Sequence, residues 1–185
     1  PGPRSTMDKV TYASDTTAPL PSGANLSSAR YGVAATGNST HGYFGGGYPS
    51  SIAATMDKVT YASAAVPGAN LSLARYFLAA TGNSTHGYFG GGEPGSKSTM
   101  DKVTYASDTT AAVPGAALSS TRRYHAATGN QTAGYFGGGE VNDNNTTSVD
   151  KVTYADDTTA AVPGANTKHW LFWWWCWPFC VFCDG

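Results

Sequence analysis

The chain has 185 residues, with eleven Lys and Arg against twelve Asp and Glu and a net charge of −1. Charged residues make up 12%, about half the usual share of roughly 25%, and without a basic excess a nucleic-acid binder is excluded. Twenty-three Gly and ten Pro imply frequent chain reversals and few long helices, and the lack of heptads excludes a coiled coil.

In chain order, Pro1 is not followed by a charged segment and an apolar run, so no signal peptide is read there and the start is either processed or internal. Asp8 to Ala13 alternates, with Val10 and Tyr12 on one face and Lys9 and Thr11 on the other. That period of two marks a strand. Tyr31 to Thr36 reads as a second short strand, rich in small residues. Gly37-Asn38-Ser39-Thr40 supplies turn chemistry, since Gly and Asn tolerate positive φ and Ser and Thr bond locally. Tyr43-Phe44 is a third, aromatic strand that stops at Gly45-Gly46-Gly47. A weaker strand is expected around Ala111 to Leu118, at an edge because of Pro114.

These segments recur. Lys-Val-Thr-Tyr-Ala begins at Lys9, Lys58, Lys102 and Lys151, at spacings of 49, 44 and 49 residues. Gly-Tyr-Phe-Gly-Gly-Gly begins at Gly42, Gly87 and Gly134, and Arg30, Arg75 and Arg122 each stand twelve residues earlier. Ala-Ala-Thr-Gly-Asn lies between, and Pro-Gly-Ala at Pro67, Pro114 and Pro163 leads toward the next unit. The short middle spacing reflects a missing Asp-Thr-Thr after Ser63. Short strands at even spacing with a Gly and aromatic motif per unit point to an all-β fold, a β-propeller.

The order Arg75, Ala79-Ala80, Tyr88-Phe89, Gly90-Gly91 and Tyr105 resembles the kelch repeat, and the resemblance covers roughly residues 1 to 166. Its signature residues here are Arg30, Arg75 and Arg122; Tyr12, Tyr61, Tyr105 and Tyr154; and the glycine pairs Gly45-Gly46, Gly90-Gly91 and Gly137-Gly138. The resemblance implies four-stranded blades and a binding or structural module rather than an enzyme. The family's Trp position holds small residues such as Ala112, which implies thinner packing between blades. The Thr- and Gly-rich copies also resemble kelch-like repeats of phage tail and bacterial surface proteins, which implies a virion or extracellular location. Half a blade plus three complete units is too few for a closed ring of typically 4 to 8 blades. The expectation is an incomplete ring whose open edges favour self-association.

The glycine triplets are expected at strand ends and not around phosphate, because no Lys-Ser/Thr and helix follow. The repeated tyrosines are expected in packing, and the arginines in internal pairing with backbone or carboxylates. His41 and His86 are expected as exposed turn residues, and His125 and His169 complete the set. Asn25, Asn38, Asn70, Asn83, Asn130, Asn144 and Asn145 each begin an Asn-x-Ser/Thr acceptor. Glu140 to Asp150 carries carboxylates and amides that suit Ca²⁺ but lacks the order of an EF-hand, and is expected as a solvated loop. No catalytic, cofactor-binding or metal-ligating set stands out of the repeat background. A protein or glycan on a surface is the expected partner, and the rival readings are a propeller enzyme and a truncated chain without independent function.

Residues 167–185 form a separate tail. Cys176, Cys180 and Cys183 are the chain's only cysteines, so no disulfide framework holds the body. Their spacing matches the iron–sulfur motif of radical S-adenosylmethionine enzymes, but only Asp184-Gly185 follows. Zinc would need His169 as a fourth ligand. The run from Trp170 to Cys183 is too short to span a bilayer and is broken by Pro178, leaving an interfacial anchor as the alternative. Trp170 to Trp175 reads Trp-Leu-Phe-Trp-Trp-Trp, which is Gly-Tyr-Phe-Gly-Gly-Gly translated one base earlier. A frame-shifted repeat is therefore expected there, with an aggregation-prone end as its consequence.

Overall fold

A computed structural model describes residues 2–11, 13–48, 52–61, 65–67 and 70–167. The aromatic and cysteine-rich tail, His169 and Tyr12 lie outside the described residues. Among the described residues the chain is all-β, with no α-helix and with every named strand pairing antiparallel.

Three four-stranded sheets follow one another, each a meander. The first runs β3 (Ala34–Gly37), β4 (His41–Gly45), β5 (Met56–Thr60) and β6 (Ala65–Pro67). The second runs β7 (Ala79–Gly82), β8 (His86–Gly90), β9 (Met100–Thr104) and β10 (Thr109–Ala112). The third runs β11 (Ala126–Gly129), β12 (Ala133–Gly137), β15 (Val149–Thr153) and β16 (Thr158–Ala161). Ahead of them stands a lone hairpin of β1 (Asp8–Thr11) and β2 (Thr16–Pro19), and inside the third unit a small hairpin joins β13 (Glu140–Val141) to β14 (Asn144–Asn145).

Register repeats with the sequence. Tyr43 pairs with Lys58, Tyr88 with Lys102 and Tyr135 with Lys151. The turn before each second strand is built by an Asn: the Asn38 side-chain amide oxygen accepts the backbone N–H groups of Thr40 at 2.9 Å and His41 at 3.0 Å, and Asn83 and Asn130 do the same. This local bonding accounts for the recurrence of Asn at those positions. The fourth strand ends earlier than the sequence predicts. β10 stops at Ala112, and Pro114 opens a 3₁₀ turn over Pro114–Ala116, the position where its fixed φ and missing N–H are tolerated. The strand expected from Tyr31 starts later, at Ala34, because Gly32 turns to positive φ.

The core lies between sheets. One cluster joins Ala34, Tyr43 and Met56 of the first sheet to Phe89, Val103 and Tyr105 of the second. Its copy joins Ala79, Tyr88 and Met100 to Phe136, Val152 and Tyr154 of the third. Burying each such aromatic or aliphatic side chain contributes about 1.5–3 kcal/mol. Phe89 points at Gly45 and Phe136 at Gly90, where a Cβ would stand 3.0 Å from the ring. The glycine supplies the slot and the phenylalanine fills it. The phenylalanines and stacked tyrosines occupy the space between the sheets, while Ala112 lies exposed at the end of β10.

Candidate functional site

Each signature Arg ties its own sheet together. Arg75 lies fully buried; its Nη1 donates to the carbonyls of Gly91 and Thr99, both at 2.8 Å, and its Nη2 bonds Asp101. Arg122 donates to Gly138 O at 3.2 Å, Ser148 O at 3.0 Å and Asp150 at 3.1 Å, and Arg30 to Gly46 O, Thr55 O and Asp57. Burial lowers the pKa of all three guanidinium groups, with the carboxylates opposing it at Arg75 and Arg122. Gly46, Gly91 and Gly138 adopt φ of 72°, 69° and 69°, which turns their carbonyls onto the guanidinium. The acidic partners were legible, since an Asp precedes every Lys of the Lys-Val-Thr-Tyr-Ala motif.

A second set of contacts crosses from sheet to sheet. The Tyr43 hydroxyl and the Lys58 ammonium donate to Asp108 at 2.5 and 2.6 Å, and Asp108 belongs to the β9–β10 turn of the next sheet. Tyr88 and Lys102 donate to Asp157 at 2.6 and 2.8 Å in the same way. Tyr105 stacks on Tyr43 and Tyr154 on Tyr88, with ring centroids 4.8 and 4.7 Å apart. Burial pushes the Tyr105 hydroxyl up to about 12 and raises Tyr43 and Tyr88 further, helped there by the carboxylates. Burial works against ionised Asp108 and Asp157, but the bonds from Lys and Tyr outweigh it and hold both below the usual carboxylate range. Tyr61, the counterpart in the first sheet, is half exposed.

These residues build the scaffold, and the residues that face outward lie in the loops beside them. The segment after each Arg and the segment after each glycine triplet meet at isolated bridges, Tyr31 with Tyr48, Tyr76 with Glu93 and Arg123 with Glu140. The backbone links the units in series: Phe77 N–H donates to Gly32 O at 2.9 Å, and Tyr124 N–H to Phe77 O at 3.1 Å. Gly32, Phe77 and Tyr124 occupy one repeat position and share φ of 67°, 54° and 55°. Positive φ costs a bulky residue of order 1–3 kcal/mol.

Five rings cluster on this face, Tyr31, Tyr48, Tyr76 and Phe77 as a closed group with Tyr31 also 6.3 Å from Phe77, and Tyr124 beside Phe77. Centroids are 5.4 Å apart for Tyr31 and Tyr48, 5.5 Å for Tyr48 and Tyr76, 4.7 Å for Tyr76 and Phe77, and 4.3 Å for Phe77 and Tyr124. Tyr31 is 44% and Tyr124 52% exposed. The Arg123 guanidinium sits 5.3 Å from the Tyr124 ring and bonds Glu93, Glu140 and Asp143. Burial works against ionised Glu93, but Arg123 and the backbone N–H groups of Ser96 and Gly95 hold its carboxyl below the ordinary range. Beside the cluster lies an open polar groove of about 620 Å³ between Glu93, Ser96, Thr121, Arg123, Asn142 and Asp143.

The remaining candidates are placed as follows. His41 and His86 head strands β4 and β8, half buried, with Nδ1 at 2.7 and 2.8 Å from Thr40 and Thr85 hydroxyls, so they are not exposed turn residues. His125 is buried at the position that Leu78 holds one repeat earlier, and neither ring nitrogen reaches a partner in hydrogen-bond geometry, the Gly90 backbone being the polar group that acts on the ring. The carboxylates of Glu140, Asp143 and Asp150 are engaged by arginines. Among the described residues no three His, Cys, Asp or Glu side chains converge as a metal site, and no helix is long and apolar enough to cross a membrane. No family model matches the chain, and no curated protein matches it.

Proposed function

We propose that the chain is a non-enzymatic binding module of kelch-like repeats, its sheets standing as the blades of an incomplete β-propeller, and that it binds a surface glycan on the aromatic loop face. The propeller reading is supported by four-stranded antiparallel meanders packed face to face in chain order, with β7 in contact with both β3 and β11. Display on a virion or cell surface accords with that role.

The observation that carries the binding reading is the cluster of five rings drawn from all three repeats, next to a groove lined by carboxylates, an amide and hydroxyls. Sugar rings lay their C–H faces on aromatic rings and direct their hydroxyls to carboxylates and amides. An exposed apolar patch rimmed by polar groups marks an interaction site. Two of the rings are held at positive φ, a conformation that the first repeat meets with Gly32.

The test is a glycan array probed with the soluble full chain and with Phe77→Gly and Tyr124→Gly. Both variants install the residue that the first repeat already carries and keep the backbone conformation. Loss of glycan binding by at least about tenfold in either variant, roughly 1.4 kcal/mol, supports the reading. Binding that both variants leave intact, or a chain that retains only protein ligands, overturns it.

A further inference from the structure

The contact that crosses between sheets has two halves, a Tyr–Lys pair on one sheet and an Asp on the hairpin of the next. It is formed twice, at Tyr43, Lys58 and Asp108 and at Tyr88, Lys102 and Asp157. Among the described residues one copy of each half stays without its counterpart, Asp15 on the first hairpin and Tyr135 with Lys151 on the third sheet.

The unused acceptor is Asp15. It closes the β1–β2 hairpin at φ of 50°, against 52° for Asp108 and 55° for Asp157. The Ser14 and Thr16 hydroxyls meet at 2.8 Å, as Ser107 and Thr109 do at 2.7 Å. The turn therefore holds the acceptor's shape before any partner arrives. Both strands of the hairpin are exposed, and Val10 is 51% accessible where Val103 and Val152 are buried.

The unused donors are Tyr135 and Lys151, which pair in register as Tyr43 does with Lys58. Among the described residues no ion pair reaches Lys151 and no carboxylate bonds the Tyr135 hydroxyl. Tyr135 is half buried where Tyr43 and Tyr88 are fully covered, and Ala126 and Thr128 beside it are exposed where Ala79 and Thr81 are buried. The third sheet thus presents outward the face that its two predecessors bury. The sequence between β5 and β6, Ala62-Ser63-Ala64, contains no Asp or Glu.

We propose that copies of this chain join head to tail, Asp15 of one copy accepting hydrogen bonds from the Tyr135 hydroxyl and the Lys151 ammonium of another. The contact is heterologous, so it closes into a ring where the rotation permits and otherwise extends as a filament. It goes beyond the glycan reading and stands or falls separately from it.

Sedimentation velocity of the full chain over a concentration series tests this, with Asp15→Lys, Lys151→Glu, their equimolar mixture and the double variant. Far-UV circular dichroism confirms that each variant folds. The wild type is expected to associate. Each single reversal sets like charges face to face and is expected to weaken association by at least about tenfold. The mixture and the double variant each restore opposite charges and are expected to recover it. A wild type that stays monomeric, single reversals that associate like the wild type, or a mixture no better than its components would each overturn the proposal. The second of these would assign association to another surface, such as the apolar tail.

Discussion

His125→Leu is the most informative single change in the scaffold. His125 fills the place of Leu78 and is only 8% exposed, packed against Gly91 and Gly139 with both ring nitrogens unpartnered. Burial, aided by the neighbouring Arg122 and Arg75 and opposed by the Gly90 backbone, lowers its pKa from 6.5 to about 3. The folded state therefore keeps the ring neutral while the unfolded state takes up a proton below 6.5. Stability is at its full value above that pH and falls as pH drops through the window between 6.5 and 3. At about 1.4 kcal/mol per pH unit of proton-uptake difference, lowering the pH from about 6 to about 4 costs roughly 2–3 kcal/mol at most. Leucine removes that term, and at neutral pH it also removes the desolvation penalty of an unsatisfied polar ring, about 1–3 kcal/mol. Urea denaturation of both proteins at a series of pH values is the assay. The variant is expected to be more stable at pH 7 and to show a clearly shallower acid slope. His86, which burial and Lys102 hold below its ordinary pKa, leaves a residual slope. Equal slopes in the two proteins, or a variant less stable at pH 7, would refute this reasoning.

Two further changes probe the glycine slots and the internal ion pairs. A Cβ at Gly91 would stand 2.5 Å from His125 Cε1 and 2.7 Å from Arg122 O, whereas at Gly138 nothing lies closer than 3.5 Å. Both have positive φ, so Gly138→Ala is expected to cost about 1–2 kcal/mol from backbone strain alone and Gly91→Ala at least twice that by thermal or urea unfolding; equal costs would count against the packing described. Asp101→Asn leaves Arg75 buried without its counter-charge, and a loss of about 3–5 kcal/mol is expected in the same assay, with a loss below about 1 kcal/mol contradicting the arrangement.

The repeat was the legible part of the fold. The alternation in Asp8 to Ala13, the Asn-led turn and the glycine triplet each specify local backbone, and together they mark three strands of each sheet to within a few residues, whereas the fourth, expected to Leu118, ends at Ala112. What lay hidden depends on contacts between units. Phe89 and Phe136 look like the partners of their neighbouring tyrosines in sequence, yet they point to the opposite face and fill slots at Gly45 and Gly90. Asp108 and Asp157 read as turn residues, and only the stacking of sheets brings Tyr and Lys onto them. The aromatic cluster was missed because Tyr31 reads as the start of a strand; the positive φ at Gly32, Phe77 and Tyr124 takes those segments out of the sheets and turns them into a surface. A signal was present, since an aromatic residue follows Arg30, Arg75 and Arg122 within two positions each time. His125 stands out once the repeats are superposed on Leu78 and Val33.

That each sheet is held by the one before it is tested most directly by a double-mutant cycle on Tyr88 and Asp157, which sit on successive sheets. Unfolding free energies of wild type, Tyr88→Phe, Asp157→Ala and the double variant give the coupling between them. A hydroxyl bonded to a carboxylate is worth about 1.5–3 kcal/mol, and the partial exposure of Asp157 reduces the expected coupling to about 1 kcal/mol. A coupling of that size is the predicted result, and additivity within about 0.3 kcal/mol would contradict it.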